Sequence, residues 1–235
     1  MESPLTKEKI LEKIKNKENV SDVDTSKITD MQYLFCSVTD FNKPLNTWNV
    51  SNVRNMSCMF CDLKFFNQPL NDWDVSKVSD MKGMFLNAES FNNPLSKWNV
   101  SNVRDMKGMF AFAESFNNSL NDWDVSNVKD TSWMFWNARK YNQEMDKWNV
   151  SNVKTMQGMF KNAETFNKSL NDWDVSNVEY AHHMFENAFK YCGKMNKWKF
   201  KSLKEYPVKF LRNCYVWDFY NSPNDTPFKI VDCYA

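Results

Sequence analysis

Few residues of this 235-residue chain occur in arrangements that could do chemistry. Asp122-Trp123-Asp124 places two carboxylates two residues apart, so this D-W-D string could hold a cation. Cys58-Met59-Phe60-Cys61 has C-x-x-C spacing, but a zinc site needs a second ligand pair at suitable spacing, which the sequence lacks. His182-His183 is a lone pair, with no Ser, Cys or acidic partner fixed beside it. We therefore expect no catalytic residue, no cofactor and no bound metal, and hence no enzyme.

The D-W-D string belongs to a column of alternating charge, which offers a second interpretation. Every 25 residues the same position carries Thr47, Asp72, Lys97, Asp122, Lys147, Asp172 and Lys197. Equal charges on neighbouring repeats would repel, whereas alternating Asp and Lys attract. We favour this charge registry over a cation site. An asparagine column at the same period predicts a ladder of turn hydrogen bonds rather than a site; it comprises Asn42, Asn67, Asn92, Asn117, Asn142 and Asn167.

The elements that must position these residues follow from the same period. Tryptophan recurs every 25 residues, at Trp48, Trp73, Trp98, Trp123, Trp148, Trp173 and Trp198. Phenylalanine keeps the same step at Phe35, Phe60, Phe85, Phe110, Phe135, Phe160 and Phe185. A fixed period of this length indicates a solenoid, a propeller or an array.

One unit, residues 79–103, predicts the local structure. Met81, Met84, Phe85 and Ala88 have the spacing of one helical face, which predicts a short helix. The segment 97–101 alternates polar and apolar residues, which predicts a short half-buried strand. We therefore expect an α/β repeat solenoid, similar to leucine-rich repeats, in which each coil holds a short parallel strand and a short helix. Strands pack more closely than helices, so the stack should curve with the strands inside.

The period also predicts the domain organisation. Residues 25–200 form a solenoid of about seven repeats, and an amphipathic helix within residues 1–24 caps its N-terminal end. The period fails after Trp198, so we interpret residues 201–235 as a C-terminal cap, because terminal repeats are usually atypical.

These motifs resemble a known family. W-D-V-S-N-V, here residues 123–128, and M-x-x-M-F, here residues 106–110, are similar to the BspA-like repeat. That repeat is a relative of leucine-rich repeats and is often described as a mycoplasma domain of unknown function. The resemblance covers roughly residues 25–200. It implies a leucine-rich-repeat-like fold and a role in adhesion or protein interaction, and it carries over no catalytic residue.

Composition limits the function classes further. Thirty Lys and Arg balance 29 Asp and Glu, which argues against nucleic acid or a membrane as the dominant partner. No apolar run approaches the ~20 residues that span a bilayer, and residues 1–17 lack a signal-peptide core. We expect an intracellular protein, with a virion or the cell surface as the alternative location. Its cysteines should then be reduced. Cys36 and Cys61 occupy equivalent positions, and we favour free thiols unless those positions are closely spaced.

Three aromatic residues depart from the repeat. Trp133 stands in a position that elsewhere holds Tyr, Cys, Gly or His, and Trp136 in one that elsewhere holds Cys, Leu, Ala, Lys or Glu. Phe112 stands where other repeats have Ser, Asp or Asn. We expect these residues on neighbouring coils to form an exposed patch that binds a partner. Local packing, or contact with another copy, is an equal alternative.

The sequence therefore predicts a non-enzymatic scaffold that binds a protein partner of unknown identity through its extended surface. The alternatives are a structural component of a virion or other assembly, or an adhesin if the protein is exported. Self-association stays open.

Overall fold

The chain begins with one helix and continues as a stack of 25-residue repeats built from turns. The structure is a computed structural model that describes residues 5–36 and 38–214. Helix α1 spans Lys7–Lys15, and the Thr6 hydroxyl caps it by accepting from the Lys9 N–H at 3.4 Å. Its apolar face buries Ile10 and Ile14 against the first repeat.

The repeats contain neither the helix nor the strand that the sequence pattern predicts. Among the described residues α1 is the only helix, and β-type pairing between repeats is limited to one isolated parallel bridge per step. These bridges join Asp30, Asn55, Asp80, Asp105, Asp130, Thr155 and Tyr180. The prediction of an α/β, leucine-rich-repeat-like solenoid with a strand and a helix in every coil is therefore wrong. The predicted curvature assumed strands on the inside of the stack, so it has no basis without them.

The segment predicted as a helix is a run of turns in which backbone donors alternate between two partners. The N–H groups of Met84, Leu86 and Ala88 donate three residues back, at 3.0–3.1 Å. The other partners are carbonyls of the next repeat, which accept at 2.7–3.0 Å from the N–H groups of Met81, Gly83, Phe85 and Asn87. Gly83 and Asn87 have φ of 59°, which is incompatible with a right-handed helix. The pattern of burial is the one expected, but turns produce it.

The segment predicted as a strand is also made of turns. The Trp98 N–H donates to the Leu95 carbonyl at 3.1 Å, and the Val103 N–H donates to the Val100 carbonyl at 2.9 Å. The Trp98 indole N–H donates to the Leu70 carbonyl of the preceding repeat at 2.9 Å. That bond satisfies a buried donor and ties adjacent repeats together.

The core consists of aromatic columns that run the length of the stack. Phenylalanines at the period of 25, from Phe35 to Phe185, lie 5.4–5.7 Å apart by ring centroid, with planes within 14° of parallel. Each ring is fully buried. Burial of such a side chain contributes about 1.5–3 kcal/mol, so packing between repeats can hold turns that would be unstable alone.

Residues 201–214 continue the stack as a partial eighth repeat. The N–H groups of His183, Phe185 and Asn187 donate to the carbonyls of Val208, Phe210 and Arg212, at 2.8–3.0 Å. These partners are 25 residues apart, whereas the regular step from donor to acceptor is 24, as from Met81 to Asp105. One inserted residue thus hides this repeat in the sequence. The rest of the predicted C-terminal cap, residues 215–235, lies outside the described residues.

Candidate partner-binding surface

Each repeat turns through two positions of left-handed backbone, four residues apart, on one side of the stack. The first position holds Tyr33, Cys58, Gly83, Gly108, Trp133, Gly158 and His183, with φ of 51–61°. The second holds Asp62, Asn87, Phe112, Asn137, Asn162 and Asn187, with φ of 55–61°. Glycine and asparagine adopt this conformation most easily, which explains why they recur there.

Phe112 and Trp133 therefore occupy backbone that disfavours them. Phe112 has φ of 58° at a position where five other repeats have Asp or Asn, and Trp133 has φ of 60° where three other repeats have glycine. Left-handed backbone costs an ordinary residue roughly 1–2 kcal/mol. Strain of this kind is concentrated at functional sites in proteins.

The three predicted residues do come together, and a fourth ring joins them. The Phe112 and Trp136 rings meet edge to face with centroids 4.5 Å apart, and those of Trp136 and Trp133 lie 5.3 Å apart. Trp133 then stacks on His183 at 6.5 Å. We call these four residues the aromatic stripe. All four are half-buried, so the rings pack on each other and still face solvent.

Gly158 allows the stripe to cross a repeat without interruption. A Cβ at this position would overlap Cε3 and Cζ3 of Trp133, so the indole lies directly on the glycine backbone. The ring can therefore reach His183, two repeats further along the stack. The equivalent Gly108 has room for a Cβ, which would meet the Ala111 Cβ at an ordinary contact distance of 3.9 Å.

A buried carboxylate anchors the His183 end of the stripe. Glu186 accepts from Lys161 at 2.7 Å, lies 2.9 Å from His183 Nδ1, and has Arg212 at 3.7 Å. Burial opposes its charge, but the hydrogen bonds from Lys161 and His183 outweigh burial and lower the pKa of Glu186 below its ordinary range. This network holds His183 in place beneath Trp133. The interpretation of His182-His183 as a lone pair without an acidic partner is therefore wrong, since Glu186 lies three residues further on in the same repeat. The contact of His183 with Trp133 spans two repeats, so the sequence period does not predict it.

The two polar columns have structural explanations. Lys97, Lys147 and Lys197 pair at 2.7 Å with Asp72, Asp122 and Asp172 of the preceding repeats, as the charge-registry interpretation requires. In the D-W-D string, Asp124 accepts from the Ser126 N–H at 3.0 Å, and hydrogen bonds from Ser126 lower its pKa. The asparagine ladder is also present, for example from the Asn117 N–H to Asn92 Oδ1 at 2.9 Å.

The cysteines depart from the prediction of free thiols. Cys36 and Cys61 form a disulfide between adjacent repeats, since their Cα atoms lie only 5.0 Å apart, and Cys192 is also disulfide-bonded. Stacking brings equivalent positions this close, which was the condition for pairing. Cys58 is a buried free thiol whose pKa is raised by burial. Cys36, Cys61 and Asp62 form the one potential metal-ligand group within the described ranges, but the disulfide occupies both sulfurs.

Comparisons with known proteins identify one family, whose model matches the chain twice. Residues 6–123 and 112–215 each match a family model described as "Mycoplasma protein of unknown function, DUF285". The two matches overlap and together span most of the chain. No curated protein and no solved structure matches the sequence. In the part of the chain that the structure describes, no helix is long and apolar enough to cross a bilayer.

Proposed function

The chain belongs to the DUF285 family of Mycoplasma proteins of unknown function, and on that premise we propose that it is a non-enzymatic repeat scaffold. In this proposal it binds a protein partner through the aromatic stripe of Phe112, Trp133, Trp136 and His183. The supporting observation is that Phe112 and Trp133 adopt left-handed backbone at positions where the neighbouring repeats have Asn or Gly. Stability alone would favour the residues that the other repeats use.

The chemistry of the stripe suits protein recognition. Trp is enriched among the residues that dominate binding energies, because a large rigid ring buries much area at little entropic cost. The rings of the stripe are tilted against each other by 28–65°, so they form a notched surface rather than a flat one. Notches between rings accept side chains of a partner.

One observation favours the alternative of a surface adhesin. Disulfides such as Cys36–Cys61 persist mainly in oxidising environments, outside the cytosol. Labelling free thiols in protein taken from its native source would decide this point. Labelled Cys36 and Cys61 would contradict export, whereas protected ones would support the adhesin alternative.

The binding proposal is tested by giving stripe positions the residues of other repeats. Phe112→Asn and Trp133→Gly relieve backbone strain while removing two rings, so the free energy of unfolding should change by only about 1 kcal/mol. Capture of crosslinked partner from the native source should fall by roughly 30-fold, as expected for loss of about 2 kcal/mol of binding energy. Phe65→Ser is the matched control, because Phe65 is 68% exposed and lies outside the stripe.

Unchanged capture by the double variant would refute the stripe as the binding surface. Equal loss of capture in Phe65→Ser would show that any exposed ring suffices and would also contradict the proposal. Sedimentation of the same variants separates a foreign partner from a second copy, because only self-association makes the mass depend on protein concentration.

A further inference from the structure

Positive charge is concentrated at the C-terminal end of the stack. Between Lys190 and Arg212 the sequence has eight Lys or Arg and one carboxylate, Glu205, so this segment carries a net +7 in a chain whose total is +1. All eight cationic side chains are exposed. We call them the basic end; they are Lys190, Lys194, Lys197, Lys199, Lys201, Lys204, Lys209 and Arg212. The near-zero charge of the whole chain conceals this asymmetry.

Most cations of the basic end lack the pairing seen elsewhere in the stack. Lys197 pairs with Asp172 at 2.7 Å, and Arg212 lies 3.7 Å from Glu186. Within the described ranges the other six form no ion pair. Unpaired cations concentrated at one end of the stack create a positive potential that attracts an anionic partner.

Two lysines of the basic end replace residues that every other repeat uses structurally. In the fourth repeat upstream, Asn99 accepts from the Ser101 N–H at 3.1 Å. Lys199 and Lys201 take these two places and cannot form that turn bond. A cavity of about 310 Å³ lined by Asp172, Asp174, Lys197, Lys199 and Lys201 carries a net charge of +1, and its counterpart of about 290 Å³ lined by Asp72, Asp74, Lys97 and Asn99 carries −1. The same backbone thus carries an opposite charge at the end of the stack.

Exposed apolar side chains accompany these lysines. Phe189, Tyr206 and Val208 are 49%, 61% and 49% exposed, and Phe189 and Val208 directly neighbour Lys190 and Lys209. Lysine beside exposed aromatic and aliphatic groups is the composition of surfaces that lie in the membrane interface. Seven of the eight cations are lysine, which acts as a point charge, rather than arginine, which nucleic-acid sites favour for bidentate contacts.

We infer that the basic end adsorbs to the surface of an anionic phospholipid bilayer. The lysine ammonium groups would contact the headgroups, while Phe189, Tyr206 and Val208 would enter the interfacial layer. The last described repeats of the stack would then lie against the membrane surface. This surface adjoins the His183 end of the aromatic stripe, where Arg212 lies 3.7 Å from Glu186 and the His183 N–H donates to the Val208 carbonyl. The inference rests on the charge and the exposed apolar groups of the basic end and not on the proposed partner.

Vesicle co-sedimentation of the full chain tests the inference. Vesicles of phosphatidylcholine with phosphatidylglycerol should bind the protein, whereas vesicles of phosphatidylcholine alone should not, and salt should weaken binding. Lys199→Asn with Lys201→Ser restores the residues of other repeats, so folding should be preserved. Each lysine near an anionic surface adds about 1 kcal/mol, so this variant should lower the partition coefficient by roughly 30-fold. Lys97→Gln with Lys147→Gln removes the same charge from the middle of the stack and should have no effect.

Three results would overturn the inference. The first is absence of binding to anionic vesicles at low salt. The second is an equal loss of binding in the Lys97 and Lys147 control, which would show that net charge alone matters. The third is binding to a single-stranded oligonucleotide without binding to vesicles, which would assign the surface to nucleic acid.

Discussion

Two sets of aromatic rings run across the repeats, and they differ in burial, geometry and backbone. The interior phenylalanines are fully buried and lie parallel within 14°. The rings of the aromatic stripe are half-buried and tilted by 28–65°. Phe112 and Trp133 also hold left-handed backbone, which Phe85 does not. The interior set repeats because each ring packs on an identical ring of the next repeat, whereas stacking does not require any residue of the stripe.

The largest expected effect comes from breaking an interior column. Phe85 stacks on Phe60 and Phe110 at 5.5 Å each, and on Phe91 at 4.1 Å. Phe85→Ala should lower the free energy of unfolding by about 3–5 kcal/mol in a urea titration, because it removes a buried ring and leaves a cavity. Phe65→Ser should stay within about 0.5 kcal/mol. A similar small loss for Phe85→Ala would remove the distinction between the two sets.

The Cys36–Cys61 bridge should give the next largest effect, because it stabilises a surface column covalently. Cys61 occupies the position that Trp136 has three repeats later. Replacing both cysteines with alanine should lower stability by about 2–4 kcal/mol under oxidising conditions. Equal stability of variant and wild type would mean that the bridge does not form in solution.

The repeat period allowed the core to be predicted but not its secondary structure. Met81, Met84, Phe85 and Ala88 are all buried, as their spacing predicts. A run of turns buries the same positions as a helix, so periodicity alone cannot separate the two. Gly or Asn recurs at two positions four residues apart, which is typical of left-handed backbone. The helical interpretation overlooked this signal, and the structure shows its meaning.

The sequence predicted three of the four residues of the candidate site. Phe112, Trp133 and Trp136 stood out because they break the repeat, and they do contact each other. His183 could not be assigned to them, because Trp133 reaches it only across Gly158. Contacts that skip a repeat depend on the direction of a side chain, which the period does not encode.

Gly158 and Gly108 form a matched pair that tests the stripe itself. Both have left-handed backbone, with φ of 56° and 61°. Gly108→Ala should cost about 1 kcal/mol of stability, because the left-handed backbone disfavours a Cβ, whereas the Cβ itself would meet Ala111 only at an ordinary 3.9 Å. Gly158→Ala should cost about 2–3 kcal/mol, because its Cβ also displaces the Trp133 ring. Indole fluorescence should change only in the Gly158 variant; a change in both would contradict the packing of Trp133 on Gly158.

Tyr141 places a polar group in the buried set of aromatic rings. It replaces phenylalanine in an aromatic column, and no residue in the described ranges bonds its buried hydroxyl. Burial raises the pKa of Tyr141, so the group stays neutral. Tyr141→Phe should raise the free energy of unfolding by about 1 kcal/mol, because it removes an unsatisfied polar group while keeping the ring. Destabilisation would indicate a partner for this hydroxyl.

The smallest expected effect concerns a surface column and depends on pH. Asp74, Asp124 and Asp174 accept hydrogen bonds from the serine two residues on, which lower their pKa below the ordinary value of 3.8. A carboxyl with a lowered folded-state pKa contributes stability above the ordinary value, and that stability is lost as pH falls through the folded-state pKa. Asn99 forms the same turn without titrating. Replacing all three aspartates with asparagine should therefore reduce the acid-induced loss of stability in urea titrations, while interior variants such as Phe85→Ala should leave its pH dependence unchanged.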